Sequence, residues 1–369
     1  MNEELEMITN RLMQASTPEE VFGEIEAQSD EMLFLLQKNY RAIAKVVHPD
    51  VYHTLQEQIL AQRTFTLLTD WLDKAKERIK SGEYGKKVDP SKTILRTRKR
   101  EYSVDSSYVQ DQVFNLYPCS FKQGGRVHLA VLKIVREWTD NSLVENEMRA
   151  LRTLFRDKDA EQFSAYIPNL IDAFLYKDAG TDRQAAVFER YHGWYSLQDV
   201  HKTYPAGIDP KDMAWIWRRL LVVLGFSHAK KILHGAVLPR NIWIHPEKHG
   251  LMLANWHSAV FDPLTTGERI KVIPPEDVGW YPQDVWIRQA PSFGTDIDMS
   301  AKCMLWLLGG DPQKRVFPES VPAPLKAFLK GCILPDRRAP QNAWNLKEEF
   351  DELLGRLWGE RKFHPFSMK

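Results

Sequence analysis

Apolar residues recur at helical spacing through the first eighty positions, which contain few Gly or Pro. Leu36, Tyr40, Ile43, Ala44 and Val47 fall three and four apart and define one apolar face. Lys38, Arg41 and Lys45 share that spacing on another face. Pro49 must end this helix, because proline lacks the backbone donor and clashes with the preceding turn. A second amphipathic helix carries Phe65, Leu68, Trp71, Leu72 and Ala75. The short loop between the two predicts an antiparallel hairpin. Thr17 followed by Glu20 has the capping-box pattern and predicts a shorter helix from there.

The pattern then changes. Residues 83–100 are polar and basic with Gly and Pro, a linker composition. Strand-like runs follow: Val113 to Tyr117, a turn at Lys122-Gln123-Gly124-Gly125, then Val127 to Leu132, which together predict a hairpin. Helical periodicity returns at Leu143–Phe155 and Lys211–His228, and it ends in the face Leu346, Phe350, Leu353, Leu354, Leu357. Strands first and helices later predict an α+β arrangement.

Composition narrows the class. Apolar residues are 43% and charged residues 27%, which excludes a disordered, collagen-like or coiled-coil chain. A net charge of +1 provides no global attraction to nucleic acid or to an anionic membrane. Arg96, Arg98, Lys99 and Arg100 cluster beside Tyr102, a weak nucleic-acid signal that a solvated linker explains as well, so a nucleic-acid partner is not expected. Cys119, Cys303 and Cys332 are odd in number and widely spaced, which fits a reducing compartment without a disulfide framework. Without a signal-like or membrane-spanning run, the expected location is the cytoplasm. His245 and His249 sit four apart, but Pro246 breaks any helix that would align them, so a surface turn is expected and not a zinc pair. Met252, Trp256, Trp215 and Trp217 read as core.

The run from Tyr40 to His48-Pro49-Asp50, with the helix pattern after it, resembles the J domain of DnaJ-type co-chaperones over residues 15–85. The resemblance implies docking on a DnaK-type chaperone and stimulation of its ATP hydrolysis. His48, Pro49 and Asp50 would form the trigger, and Lys38, Arg41 and Lys45 the steering charge. The helix carries fewer cations than that family usually shows, which implies weaker docking.

Residues 101–360 resemble the protein-kinase fold. Lys133 ends a strand and Glu147 sits on the following helix, as in the family's phosphate-holding pair. Val187 to Gly193 is similar to the hinge, and Glu189 within it joins Lys133, Glu147 and Asn241 as a candidate for residual nucleotide binding. His234-Gly235-Ala236-Val237-Leu238-Pro239-Arg240-Asn241 is similar to the catalytic loop, and Asn255-Trp256-His257 falls at the metal-binding triplet. Trp280 to Gln283 resembles the end of the activation segment. Thr295 to Asp298 resembles the start of the helix that anchors the catalytic loop, and Arg337 or Arg338 lies near the late structural arginine.

The substitutions bear on activity. Ala236 replaces the catalytic base and cannot accept a proton. Leu238 replaces the loop lysine, and Asn255 replaces a magnesium-binding aspartate, leaving no charge there. No glycine occurs from Ser103 to Tyr117, where a phosphate-covering loop belongs. The expectation is a bilobal pseudokinase, with a J-domain-like unit at 1–85, a basic linker at 86–100, a small β-rich lobe at 101–192 and a larger helical lobe at 193–369. No cofactor or metal is expected, although ATP binding stays open. Lys133 and Glu147 could equally be a structural ion pair, and Asn241 a loop-stabilising amide. The expected function is a co-chaperone adaptor whose kinase-like part selects a client or partner protein. The alternatives are an atypical active kinase or nucleotidyl transferase, and a non-catalytic scaffold.

Overall fold

Caps and apolar spacing set the amino-terminal helices. The Asn2 side chain accepts from the N–H groups of Glu4 and Leu5 and opens α1 (Glu3–Gln14). Thr17 accepts from the Glu20 N–H and opens α2 (Pro18–Phe22), with Pro18 where no donor is needed. Then come α3 (Ser29–Val47), a 3-10 turn (Pro49–Val51) and α4 (Leu55–Lys80). Tyr40 meets Thr69 and His48 meets Phe65, so α3 and α4 run antiparallel. Leu36, Val47, Leu68, Trp71, Leu72 and Ala75 are buried between the helices. The Trp71 indole N–H donates to the Leu12 carbonyl, and the buried hydroxyls of Thr9 and Thr64 bond each other.

This computed structural model describes residues 2–15, 17–25, 29–80, 84–85, 92–111, 113–156, 158–178, 181–334, 338–360 and 362–368. The chain divides into two units, Met1–Pro90 and Ser91–Lys369. The expected linker at 86–100 is corrected. Residues 86–91 lie outside the described residues, but β1 (Lys92–Arg96) is a strand, paired antiparallel with β2 (Glu101–Asp105) from Lys92↔Asp105 to Arg96↔Glu101. The β-branched Thr93 and Ile94 suit a strand, while the flanking charges gave the segment a linker's composition. The basic cluster is not a free patch either: Arg96 pairs with Glu101, and Arg100 lies over the Phe121 ring.

Beyond β2 come β3 (Val109–Gln110), β4 (Phe114–Gln123), β5 (Arg126–Val135), α5 (Asn141–Leu154), β6 (Leu170–Asp178) and β7 (Thr181–Glu189). The antiparallel sheet has the order β1-β2-β4-β5-β7-β6, with β3 on β4. Gly124 and Gly125 both take left-handed φ and close the expected β4–β5 turn. Asp172 on the far edge strand is buried, yet it accepts from the Thr97 hydroxyl at 2.8 Å and the Tyr102 hydroxyl at 3.3 Å, and Lys99 pairs with it. These bonds curl the sheet, bringing β6 against the β1–β2 turn.

The larger lobe contains β8 (Tyr195–Ser196), α6 (Leu197–Thr203), α7 (Pro210–Ala229), β9 (Ile232–Leu233), β10 (Ile242–His245), β11 (Gly250–Leu253) and β12 (Val260–Phe261). It continues through α8 (Pro263–Thr266), α9 (Gln283–Trp286), α10 (Phe293–Leu307), α11 (Ala323–Cys332) and α12 (Ala343–Trp358). Trp217, Met252 and Trp256 are core, as expected. Trp215 is only partly buried, and His249 departs from the expected surface turn: it is 8% exposed. Arg337 lies outside the described residues. Among the described residues no helix is long and apolar enough to cross a membrane.

Candidate functional site

Lys133 projects from β5 toward α5, where its ammonium donates to Glu147 Oε2 at 2.7 Å. Both side chains are almost fully buried. The same ammonium donates to Asn255 Oδ1 at 3.0 Å. Asn255 Nδ2 donates to Asn241 Oδ1 at 2.7 Å, and Asn241 Nδ2 donates to the Ala236 carbonyl at 2.9 Å. The second Glu147 oxygen accepts the Trp256 N–H at 3.0 Å. One polar chain therefore joins small-lobe and large-lobe residues, and its members satisfy one another. The Phe114 ring, 1% exposed, covers it with its centroid 4.0 Å from the Lys133 ammonium.

Asp296, at the start of α10, holds the loop beneath. It accepts from the backbone N–H groups of His234 and Gly235 at 2.8 and 2.9 Å, and His228 Nε2 lies 2.9 Å away. Gly235 takes a left-handed φ of 73°, and a Cβ there would come within 2.4 Å of the Ser258 carbonyl oxygen. The arginine that the family's loop carries could not occupy this backbone without a shift. The Tyr281 hydroxyl donates to the Gly235 carbonyl, and Arg240 makes a two-pronged pair with Asp277. Burial pushes the His234 imidazole down to about 4 and His257 well below the usual histidine range. Both rings are neutral at neutral pH.

The structure brings Lys133, Glu147, Asn241, Asn255 and Ala236 together. Glu189 is not with them and is corrected: it pairs in register with Ala130, whereas Lys133 pairs with Ala186, so Glu189 faces the other side of the sheet. Its carboxylate accepts from Asn169 instead. Leu238 is buried in the large-lobe core. Phe114 was readable only as a strand residue. The missing glycines just before it were the one local sign that this segment differs from a phosphate-covering loop.

A magnesium-bound nucleotide does not fit this arrangement. The amide oxygens of Asn241 and Asn255, the remaining neutral ligands, already accept hydrogen bonds from within the protein. The cavity touching both residues has a volume of about 20 Å³, room for roughly one water.

In the amino-terminal unit the turn is open. His48 Nδ1 accepts the Asp50 N–H at 3.3 Å, and the ring meets the Phe65 edge. The side chains of His48 and Asp50 are 47% and 88% exposed. Pro49 starts the 3-10 turn, and Lys38, Arg41 and Lys45 are exposed along α3.

Comparison with known proteins bears on the second unit. The chain is similar to the structure of vaccinia related kinase 3, at 19% identity and a TM-score of 0.57, covering 73% of this chain and 92% of that one. It is similar to the BubR1 kinase domain at 16% identity and a TM-score of 0.55, covering 73% and 85%. The fold is thus protein-kinase-like: bilobal, with a curled β-sheet. A stretch of 95 residues is 30% identical to casein kinase II subunit alpha' of Saccharomyces cerevisiae. That stretch is 26% of this chain and 26% of the relative, so the chain matches about a quarter of that protein's length. No family model matches the chain.

Proposed function

We propose that this chain is a cytoplasmic co-chaperone adaptor. In this reading the amino-terminal unit is a J domain that docks on a DnaK-type chaperone and stimulates its ATP hydrolysis. The kinase-like unit holds a client or partner protein by its surface and transfers no phosphoryl group. The observation that carries the reading is the exposed His48-Pro49-Asp50 turn, closing a two-helix hairpin whose first helix presents Lys38, Arg41 and Lys45 to solvent. Exposed cations of this kind act mainly on association rate. The polar chain around Lys133 supports the second half, because the groups that would meet phosphate are bonded to one another. The test is steady-state ATP hydrolysis by a DnaK-type chaperone with the full-length protein. Stimulation lost in His48→Gln is expected; equal stimulation by both proteins sinks the reading.

A second reading, an atypical ATP-dependent transferase, is favoured by one observation. The Lys133–Glu147 pair that positions nucleotide phosphates in active kinases is intact at 2.7 Å. Ala236 and Asn255 argue against it, since they remove the base and the metal carboxylate. Labelled-phosphate transfer that vanishes in Lys133→Ala would establish this second reading. The expected outcome is no transfer and no rise in Tm with magnesium–ATP.

A further inference from the structure

The residue that departed furthest from expectation points to a second site. His249 ends the β10–β11 turn with a left-handed φ of 48°. Its ring is the middle layer of a three-ring stack: Trp215 of α7 lies 4.2 Å away at 6°, and Phe363 lies 4.3 Å away at 23°. Phe363 belongs to a carboxy-terminal strap that runs back over the large lobe. The strap is tied down where His364 Nδ1 meets Asp212 at 2.6 Å and where the Tyr204 hydroxyl donates to the Ser367 carbonyl at 2.6 Å. Only 8% of His249 is exposed, yet its Nε2 is buried without a hydrogen-bond partner. A buried polar atom left unpaired is a destabilising feature that folds rarely keep without a use.

Two cavities, of about 200 and 370 Å³, open on this stack, and His249 lines both. The larger is lined by Arg218, Arg219, Lys347 and Lys362, and no carboxylate is among its lining residues. Asp351 just outside pairs with Arg218 and Lys347. Arg219 donates to the Tyr166 hydroxyl, a neutral partner. The smaller cavity adds Lys211 and, as its one carboxylate, Glu360. Arg219, Lys362 and Lys211 thus outnumber the single unpaired acid. Arg219 supplies a guanidinium fork suited to a tetrahedral oxyanion. A volume of about 370 Å³ lies at the small end of small-molecule sites.

We propose that this cavity is a binding site for a small phosphorylated molecule, with Arg219 and Lys362 taking the phosphate and His249 Nε2, now closed off from solvent, supplying a directed hydrogen bond once the ring shifts toward the cavity. The site lies outside the interlobe cleft and depends on neither reading of function given above. The strap forms one wall through Lys362 and Phe363, so an occupied site also holds the carboxy terminus on the large lobe. Anion binding places negative charge beside His249, which burial, first, and the Arg219 charge hold below the usual histidine range, against a raising contribution from the His364 backbone. Its protonation is therefore coupled to occupancy.

The test is calorimetric titration of the full-length protein with inorganic pyrophosphate, with sodium sulfate at matched ionic strength as the control anion. Saturable binding is expected, weakened at least tenfold in Arg219→Ala and in His249→Phe, which keeps the stack but removes Nε2. A His249 ¹⁵N signal that moves on titration would locate the contact. Where His249→Phe lowers Tm, Arg219→Ala alone decides, because its side chain lines the cavity wall and, among the described residues, its hydrogen bond is to a phenol. Three results overturn the proposal: no saturable binding, equal binding of sulfate and pyrophosphate as an adventitious ion only, or pyrophosphate binding unchanged in Arg219→Ala.

Discussion

The turn at His48-Pro49-Asp50 and the cleft at Lys133 carry similar polar chemistry in opposite states. At the turn, His48 and Asp50 point mostly into water and bond chiefly each other. In the cleft, Lys133, Glu147 and Asn241 are withdrawn from water and Asn255 partly so, and the four use their donors and acceptors on one another. A ligand reaching the turn displaces only solvent. A ligand reaching the cleft must first break a closed set of bonds and move Phe114. The contrast separates an exposed polar turn from a buried polar set that stabilises its own fold. It also sets where substitutions should harm stability and where they should harm function alone.

The largest expected effect is in the cleft. Glu147→Ala leaves the Lys133 ammonium buried with only the Asn255 amide as acceptor. Removing one partner of a buried pair costs about 3–5 kcal/mol. For a unit of this size that lowers Tm by on the order of 10 °C. Replacing both, as Lys133→Met with Glu147→Leu, should restore part of the loss, since it removes the unpaired charge but leaves the buried Trp256 N–H without its acceptor. Calorimetry of the full chain checks both. Equal stability of Glu147→Ala and wild type would mean the cleft is wet and open.

Acid should act next, and on the same unit. Unfolded histidine titrates near 6.5, whereas buried His234 holds its proton only below about 4. Between those values the unfolded chain binds a proton that the folded chain refuses, so stability rises with pH across that window. The contribution is complete above pH 6.5 and is lost as pH falls toward 4, amounting to about 3 kcal/mol. His257, shifted in the same direction, adds to the slope. Denaturant unfolding at pH 7 and pH 5 captures about 2 kcal/mol of it; a flat profile would contradict the burial of these rings.

A smaller effect tests the curled sheet. Thr97→Val removes one donor from Asp172 but leaves the Tyr102 hydroxyl and Lys99. The expected cost is about 1 kcal/mol. Tyr102→Phe with Thr97→Val should cost more than the sum of the single changes, because Asp172 then loses both hydroxyl donors.

These bonds also show what the sequence could and could not reveal. The helices at Leu36–Val47 and Phe65–Ala75 were legible because their spacing is local and each face is continuous. The Lys133–Glu147 pair was legible because both ends sit in a familiar order of strand and helix. The Lys133–Asn255 bond joins residues 122 apart, and no local pattern encodes it. Strand β1 was hidden because Thr93 and Ile94 are too few to outweigh the charges around them. Glu189 was misplaced because the motif gives its position along the strand, while a one-residue change in register decides its face. His249 looked like a surface-turn residue because Pro246 breaks any helix there. Trp215 of α7 and the returning strap, more than a hundred positions later, bury it between them.

The smallest expected change in stability is at the turn, and it bears most directly on the comparison. His48→Gln removes a ring that is 47% exposed, one acceptor for the Asp50 N–H and an edge contact with Phe65. Glutamine retains a side-chain acceptor, and surface changes of this kind usually stay within about 0.5 kcal/mol. Pro49 and α3 are untouched, so the hairpin core around Leu68 and Trp71 should unfold at the wild-type temperature. A large fall in Tm would make His48 a structural residue like Lys133, and loss of chaperone stimulation would then say nothing about docking. An unchanged Tm together with lost stimulation would assign His48 to the partner, because a side chain that does not hold its own fold can affect hydrolysis only through what it touches outside it.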